Sequence, residues 1–339
     1  MTAGPRLALP EGRDNAASLS DLLRSGGAAR PDAILARIGK AGEAVAALRV
    51  AAVDALADHY CARFRDAGVR DGRILILGAA EPKALALIVG ALRAGLNVVL
   101  AAPALDAPSI AAAARRSHAK ALAGPTEFAN LALGERLFEA AAMVDEIALV
   151  ALYGEGAAGA LTLDAPLEAD EAPEASPLEP ELLTVPARDA AADCSPLPQG
   201  QAAEVARTLL ARAGLRPGQA IASMISLGSP AGLVGGAFAP LIGGAHVVWQ
   251  APFAALRLIE ALDALAPAHL VAPAGAVEAL GAAGLLIPQR LASLTLVADE
   301  ATRIPAFSDG LDLARVSVLR IGAGADLRLE AWEAPPDLD

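Results

Sequence analysis

The sequence predicts an α/β fold of doubly wound lobes, and three observations carry that expectation. Short apolar segments of strand character alternate with segments of helical spacing along most of the 339 residues, the pattern of a parallel sheet covered by helices. Residues 217–256 contain no Asp, Glu, Lys or Arg. An acidic, proline-rich stretch, 164–181, separates the alternation into two series.

The charge-free run admits two readings. About 20 predominantly apolar residues suffice to span a bilayer, but Pro230, Pro240 and the glycines between Gly232 and Gly244 make a poor uninterrupted helix. The run divides instead into a strand at 220–226, a small-residue helix at 232–241 and a strand at 245–249 built on Val247 and Val248. That is a strand-helix-strand unit inside a parallel sheet, where strands covered on both faces need not alternate. No membrane span is expected.

Bulk composition excludes further classes. The apolar fraction is 55%, but alanine supplies much of it and buries little surface per residue. A net charge of −12 argues against a nucleic-acid or anionic-membrane surface. Cys61 and Cys194 are too few and too distant in sequence for a disulfide framework or a zinc site. Residues 1–17 read as a loose leader without the apolar core of a secretory signal, and a cytoplasmic protein is expected.

In chain order, a first α/β lobe is expected over 18–163. A short helix starts at 18–23, with Ser18 or Ser20 as its cap. A longer amphipathic helix follows at 43–64, on the spacing of Val45, Leu48, Val53, Leu56, Tyr60 and Phe64. Strands are predicted at 73–77, 97–100, 119–123 and 146–150, with helices at 84–93, 109–117 and 127–141. The stretch 164–181 carries many acids, four prolines and no base; it reads as a linker or loop that cannot order itself alone. A second lobe is expected over 182–329, opening with a strand at 182–185 and a helix at 201–213. After the charge-free unit come helices at 254–265 and 276–283 and strands at 269–271, 293–297 and 316–321. Residues 330–339 read as an acidic tail.

With the segments in order, the chain resembles the large N-terminal domain of the AMP-dependent synthetase and ligase family, the adenylate-forming acyl-CoA synthetases. The segments that carry the resemblance are SLSDLLRSGGAARPDA from Ser18, DAGVRDGRILILG from Asp66 and ALRAGLNVVLAAPAL from Ala91. In the second half they are the long segment from Leu210 to Trp249, PAHLVAPAGAVEALGAAG, and LASLTLVA. The resemblance implies two similar α/β lobes packed side by side, and an activity in which ATP converts a carboxylic acid to an acyl adenylate before transfer to a thiol. Such chemistry needs anion-binding groups around the triphosphate, a carboxylate for Mg²⁺ and a lysine at the reacting carboxylate.

This sequence departs from the family at each of those places. The family's phosphate loop, rich in Ser, Thr and Gly and closed by Pro-Lys, should follow the 182–185 strand. Here the residues are Pro186, Ala187, Arg188, Asp189, Ala190 and Ala191, with no glycine, hydroxyl or lysine. Arg188 is the one anion-binding candidate, its charge offset by Asp189. The Tyr-Gly-x-Thr-Glu motif has no counterpart, and the small C-terminal domain with its lysine is expected to be absent. Ser229 stands where the family places a histidine beside the acyl pocket.

The expectation is therefore a degenerate acyl-CoA-synthetase-like protein without adenylation activity, acting as a binding or scaffold subunit with no catalytic residues, no metal ligands and no cofactor. Ser229, Gly232, Gly235 and Gly236 would line a retained pocket for an acyl or aromatic acid, and a protein partner or a homo-oligomer is left open. The alternative is an AMP-forming acid-thiol ligase, using ATP and Mg²⁺, whose active site a partner completes.

Other residues carry less. His246 and His269 sit at strand starts and could approach each other if their strands are neighbours. Cys194 reads as an exposed loop thiol. Gly228, Ser229 and Gly232 miss the G-x-S-x-G spacing of a nucleophile elbow. Gly322–Asp326 lacks a dinucleotide fingerprint. Glu81, Pro82 and Lys83 read as the start of a helix, with Glu81 complementing its dipole.

Overall fold

A computed structural model describes residues 18–38, 46–69, 71–155, 159–166, 180–186, 193–250, 255–265, 267–302, 304 and 315–331. The expected leader, Arg188, the middle of the acidic stretch and most of the expected tail lie outside the described residues.

The first half contains α1 (Leu19–Ala29), β1 (Ile34–Ile38), β2 (Ala46–Arg49), α2 (Val50–Asp66), β3 (Arg73–Leu77), α3 (Pro82–Arg93) and β4 (Asn97–Ala101). It continues through α4 (Ala107–Ser117), β5 (Ala119–Pro125), α5 (Leu133–Ala142), β6 (Leu149–Tyr153) and β7 (Leu161–Thr162). After the acidic stretch come β8 (Leu182–Thr184), β9 (Ser195–Pro196), α6 (Gln199–Ala213), β10 (Ala220–Ser223), α7 (Pro230–Leu233), α8 (Ala239–Gly243) and β11 (His246–Trp249). The rest is α9 (Ala255–Leu265), β12 (Ala268–Pro273), α10 (Val277–Ala282), β13 (Leu291–Asp299), β14 (Val316–Ile321) and β15 (Leu327–Ala331).

Local chemistry explains several boundaries. Ser18 caps α1 by accepting the Asp21 N–H at 3.1 Å, and Asp106 caps α4 by accepting that of Ser109 at 3.0 Å. The expected helix at 43–64 begins only at Val50, because 46–49 pair with β1 as an antiparallel edge strand. The expected helix at 127–141 begins at Leu133. Ala129 and Asn130 adopt positive φ in a turn bridged between Phe128 and Leu131, and helix cannot pass through it.

Among the described residues the strands form two sheets, in the orders β7-β6-β5-β3-β4-β8-β9 and β15-β14-β13-β12-β10-β11-β1-β2. Leaving out β15, the orders correspond strand for strand. Each has a parallel core, and each ends in one antiparallel pair, β8–β9 or β1–β2. Two expectations change here. The strand at 182–184, expected to open the second lobe, pairs with β4 in the first sheet, and β1 of the first half pairs with β11 in the second. A strand of three to five residues next to a sheet edge carries too little pattern to declare its sheet.

The sheets and helices stack in five layers. Alternate residues such as Ile74, Ile76, Val98 and Leu100 from the first sheet, and Ile221, Val271 and Leu319 from the second, face a shared middle layer of α1, α2, α3, α6, α7 and α8. Leu75, Val99 and Leu122 face α4 and α5 on one outside, and Ala222, Leu270 and Leu296 face α9 and α10 on the other. Each fully buried Leu, Ile or Val contributes roughly 1.5–3 kcal/mol. In the middle layer, a Cβ on Gly90 of α3 would lie 2.8 Å from the Ala57 carbonyl oxygen, so glycine sets the approach of α2. Arg93 is buried there, and pairing with Asp54 at 2.5 Å and Asp58 at 2.8 Å offsets the cost of desolvating its charge.

Candidate functional site

In open parallel sheets, ligands bind outside the carboxyl ends of strands, where successive connections leave for opposite faces. Each sheet has one such place. From β3 the chain enters α3 in the middle layer, and from β4 it enters α4 on the outside. From β10 it enters α7 in the middle layer, and from β11 it passes to α9 on the outside. The carboxyl ends of the two sheets meet at the lobe seam. Gly78, just after β3, donates its N–H to the Ala101 carbonyl at 3.0 Å, and Gly228, in the loop after β10, donates to the Gly78 carbonyl at 2.9 Å. A Cβ on Gly78 would collide with the Gly228 backbone, and one on Gly228 with the Ala101 carbonyl. These two glycines let main chain from one lobe lie on main chain of the other.

Of the four residues expected to line a pocket, Ser229 follows the seam residue Gly228, and Gly232, Gly235 and Gly236 lie along the helix that Ser229 caps. Ser229 caps α7, accepting the Gly232 N–H at 3.2 Å, while its own hydroxyl donates to the Ser226 carbonyl at 3.3 Å. Between α7 and α8 the helix widens into a π-turn, Val234–Phe238. Pro240 accounts for it: the residue has no N–H to give, and its ring would clash with the Gly236 carbonyl in a regular helix. Gly235 and Gly236 lie in the widened segment, and neighbours cover both. A Cβ on Gly235 would come within 3.2 Å of the Val271 methyls, and one on Gly236 within 2.7 Å of Trp249 Nε1. That indole nitrogen is buried, with no acceptor among the described residues. Trp249 was legible in the sequence only as the end of a strand.

The first lobe's side of the seam is polar. Glu81 stands at the cap position of α3 but makes no cap bond, and Pro82 occupies the first turn as expected. The Glu81 carboxylate instead accepts the Tyr153 hydroxyl at 2.6 Å. Asp164, expected to begin a loose linker, is anchored by the Tyr60 hydroxyl at 2.7 Å, the Lys83 ammonium at 2.7 Å and the Gly154 N–H at 3.0 Å. On α2, His59 meets the Leu163 carbonyl at 3.0 Å and Arg63 donates to that of Thr162 at 3.3 Å. Burial raises Glu81 above the usual carboxylate range, against the lowering effects of Tyr153 and Lys83. Burial also pushes Asp164 upward, but the bonds from Lys83, Tyr60 and Gly154 outweigh it and the net shift is downward. A cavity of about 390 Å³ opens nearby, lined by Glu127, Glu135, Glu155, Phe138 and Leu152.

The remaining candidates separate. His246 registers with Ala220 and His269 with Ile221, so the two imidazoles leave opposite faces of the second sheet, with β10 between their strands. His269 Nδ1 lies 2.6 Å from the Ser293 hydroxyl, and burial lowers its pKa to about 3. Cys194 is half-buried, and burial raises its thiol. Gly322–Asp326 joins β14 to β15, closed by the Gly322 N–H on the Asp326 carbonyl at 2.7 Å. Among the described residues, no group of three or more His, Cys, Asp or Glu is placed to hold a metal ion. No helix among them is long and apolar enough to cross a membrane.

No protein-family model matches the sequence, and no curated protein matches it. Solved structures do. MbtA from Mycobacterium smegmatis aligns over 96% of this chain and 60% of its own, with a TM-score of 0.73 at 17% identity. Acetoacetyl-CoA synthetase from Streptomyces lividans aligns over 93% of this chain and 53% of its own, at 0.70 and 16%. The N-terminal domain of FACL13 from Mycobacterium tuberculosis aligns over 92% and 78%, at 0.71 and 13%. The fold is that of the large N-terminal domain of acyl-CoA synthetases. The chain spans 53% to 60% of the two longer relatives. At these identities the likeness to acyl-CoA synthetases is one of fold, and chemistry is argued from this chain's own residues.

Proposed function

We propose that this chain is a non-adenylating binding or scaffold module built on the acyl-CoA-synthetase fold. One observation carries the reading: the segment after β8, Pro186 to Ala191, has no glycine, hydroxyl or lysine. β8 runs parallel to β4, so the chain leaves β8 at the carboxyl end of the first sheet, where a phosphate would be held. A triphosphate needs close backbone approach and several donors or cations. Arg188 beside Asp189 supplies one compensated charge. The pocket residues Ser229, Gly232, Gly235 and Gly236 then serve recognition of a small ligand, and ATP and Mg²⁺ have no part in the function.

Pyrophosphate release with ATP, Mg²⁺ and a panel of aliphatic and aromatic carboxylic acids tests this. The expected rate equals that without protein. Turnover by the purified chain would overturn the proposal, and turnover appearing only with a co-purified protein would support a partner-completed ligase instead.

A further inference from the structure

Three donors from three elements converge on one carboxylate at the carboxyl end of the first sheet. Tyr60 of α2 gives its hydroxyl to Asp164 Oδ1 at 2.7 Å, while the Lys83 ammonium of α3 at 2.7 Å and the N–H of Gly154, just after β6, at 3.0 Å both meet Oδ2. Asp164 belongs to no helix or strand; it follows β7, an edge strand paired at two positions. We propose that Tyr60, Lys83 and Gly154 form a carboxylate-binding site that Asp164 occupies from within, an autoinhibitory contact, and that a small monocarboxylate such as formate or acetate exchanges for it.

The site is held together apart from its occupant. Lys83 Nζ lies over the Tyr153 ring, 5.9 Å from its centre, the Tyr60 and Tyr153 rings stack at 6.3 Å, and the Tyr153 hydroxyl is fixed on Glu81 at 2.6 Å. The Thr126 N–H donates to the Tyr153 carbonyl at 2.9 Å, which steadies the chain entering Gly154. Tyr60 is fully buried, so its hydroxyl needs another acceptor whenever Asp164 leaves. A ligand can reach the site, because the side chains of Lys83 and Asp164 are 46% and 28% exposed. The donors select the ligand. They divide between the two oxygens of one planar group, which a single halide cannot supply. A dianion would add charge beside Glu81, with Glu155 next in the chain to Gly154, and the further bases His59 and Arg63 already face the carbonyls of Leu163 and Thr162. A monocarboxylate leaves the charge unchanged. Glu81 and Glu155 oppose it as they oppose Asp164, which ionises below its ordinary range although burial works against it. Exchange frees the main chain at residue 164 and leaves β7 to its two strand pairs, His59 and Arg63.

The test reads unfolding of the whole chain at neutral pH, so pyrophosphate release, present or absent, has no bearing on it. Wild type, Asp164→Ala, and Asp164→Ala combined with Lys83→Met are unfolded in urea across an acetate series, with sodium chloride holding ionic strength constant. The wild-type series carries the general salt effect of acetate and is subtracted. Asp164→Ala is expected to gain stability as acetate rises, with an apparent acetate affinity at least about tenfold tighter than that of wild type, in which the tethered Asp164 competes. The double variant should gain nothing over wild type. Formate should act as acetate does, and sulfate should stabilise all three alike. An acetate response of Asp164→Ala no larger than that of wild type or of the double variant overturns the proposal, as does an equal gain of Asp164→Ala in sulfate. If Asp164→Ala does not fold, Asp164→Ser, which is shorter by one atom and keeps an oxygen, is titrated with formate instead. A formate gain over wild type is then expected, and its absence overturns the site.

Discussion

The two lobes repeat one topology and finish it with opposite chemistry. In each, a strand runs into a turn and a helix that begins with proline at its first turn, Glu81-Pro82 in the first lobe and Ser229-Pro230 in the second. The first lobe surrounds that turn with two carboxylates, two tyrosines and a lysine. The second surrounds it with glycines and an indole. The first arrangement fixes its segments by directed hydrogen bonds that are costly to leave half-made. The second relies on close approach, with the Trp249 indole lying against Gly236. The same fold thus carries a polar clasp and a close-packed apolar contact within a few residues of the lobe seam.

The largest effect is expected at the seam itself, which both halves share. Gly228→Ala drives a methyl into the Ala101 carbonyl, and a loss of more than about 3 kcal/mol in urea unfolding is expected, because main chain on both sides must shift. Gly275→Ala is the control. A Cβ there meets nothing within 4 Å, so stability should change by less than about 0.5 kcal/mol. Similar losses from both would mean that close approach at the seam is not what holds the lobes together.

Asp164→Asn comes next, with an expected loss of about 1–3 kcal/mol from weakening three hydrogen bonds at once. The pH dependence sharpens it. Asp164 titrates below its unfolded value of about 3.9, so its contribution is present above that pH and is lost as pH falls through the folded value. Asp164→Asn should therefore flatten the acid limb of the stability curve. Glu81 has the opposite sign: its raised folded pKa gives stability that is full below about 4.3 and lost as pH rises through the folded value. Glu81→Gln should remove that loss on the alkaline side of the same window. Tyr60→Phe is expected to cost least, about 0.5–1.5 kcal/mol, for one hydroxyl on Asp164.

Sequence alone made the repeated topology legible where elements are long and covered on both faces. β3, α3, β4, β10 and β11 all fall where apolar spacing and the glycine and proline punctuation put them. Edge elements failed for a physical reason. β2, β7 and β15 lie at sheet edges, so their composition is set by solvent as much as by the sheet. The site was half legible. The absence of charge over 217–256 marked the strand-helix-strand unit, and Ser229, Gly232, Gly235 and Gly236 follow one another along its helix. The indole that covers Gly236 was invisible, because a tryptophan ending a strand carries no signal of which face it occupies until the register is known. The Asp164 clasp was hidden similarly: its partners Tyr60 and Lys83 lie 104 and 81 residues away, and its own neighbours are the acids and prolines of a linker.

The most direct test of the proposed loss of nucleotide chemistry is titration of the whole chain with ATP in the presence of Mg²⁺, read by calorimetry. Heats no larger than those of dilution are predicted, with no change in melting temperature at millimolar nucleotide. Saturable binding with micromolar affinity would contradict it, and would mean that the segment from Pro186 to Ala191 still holds a triphosphate without glycine, hydroxyl or lysine.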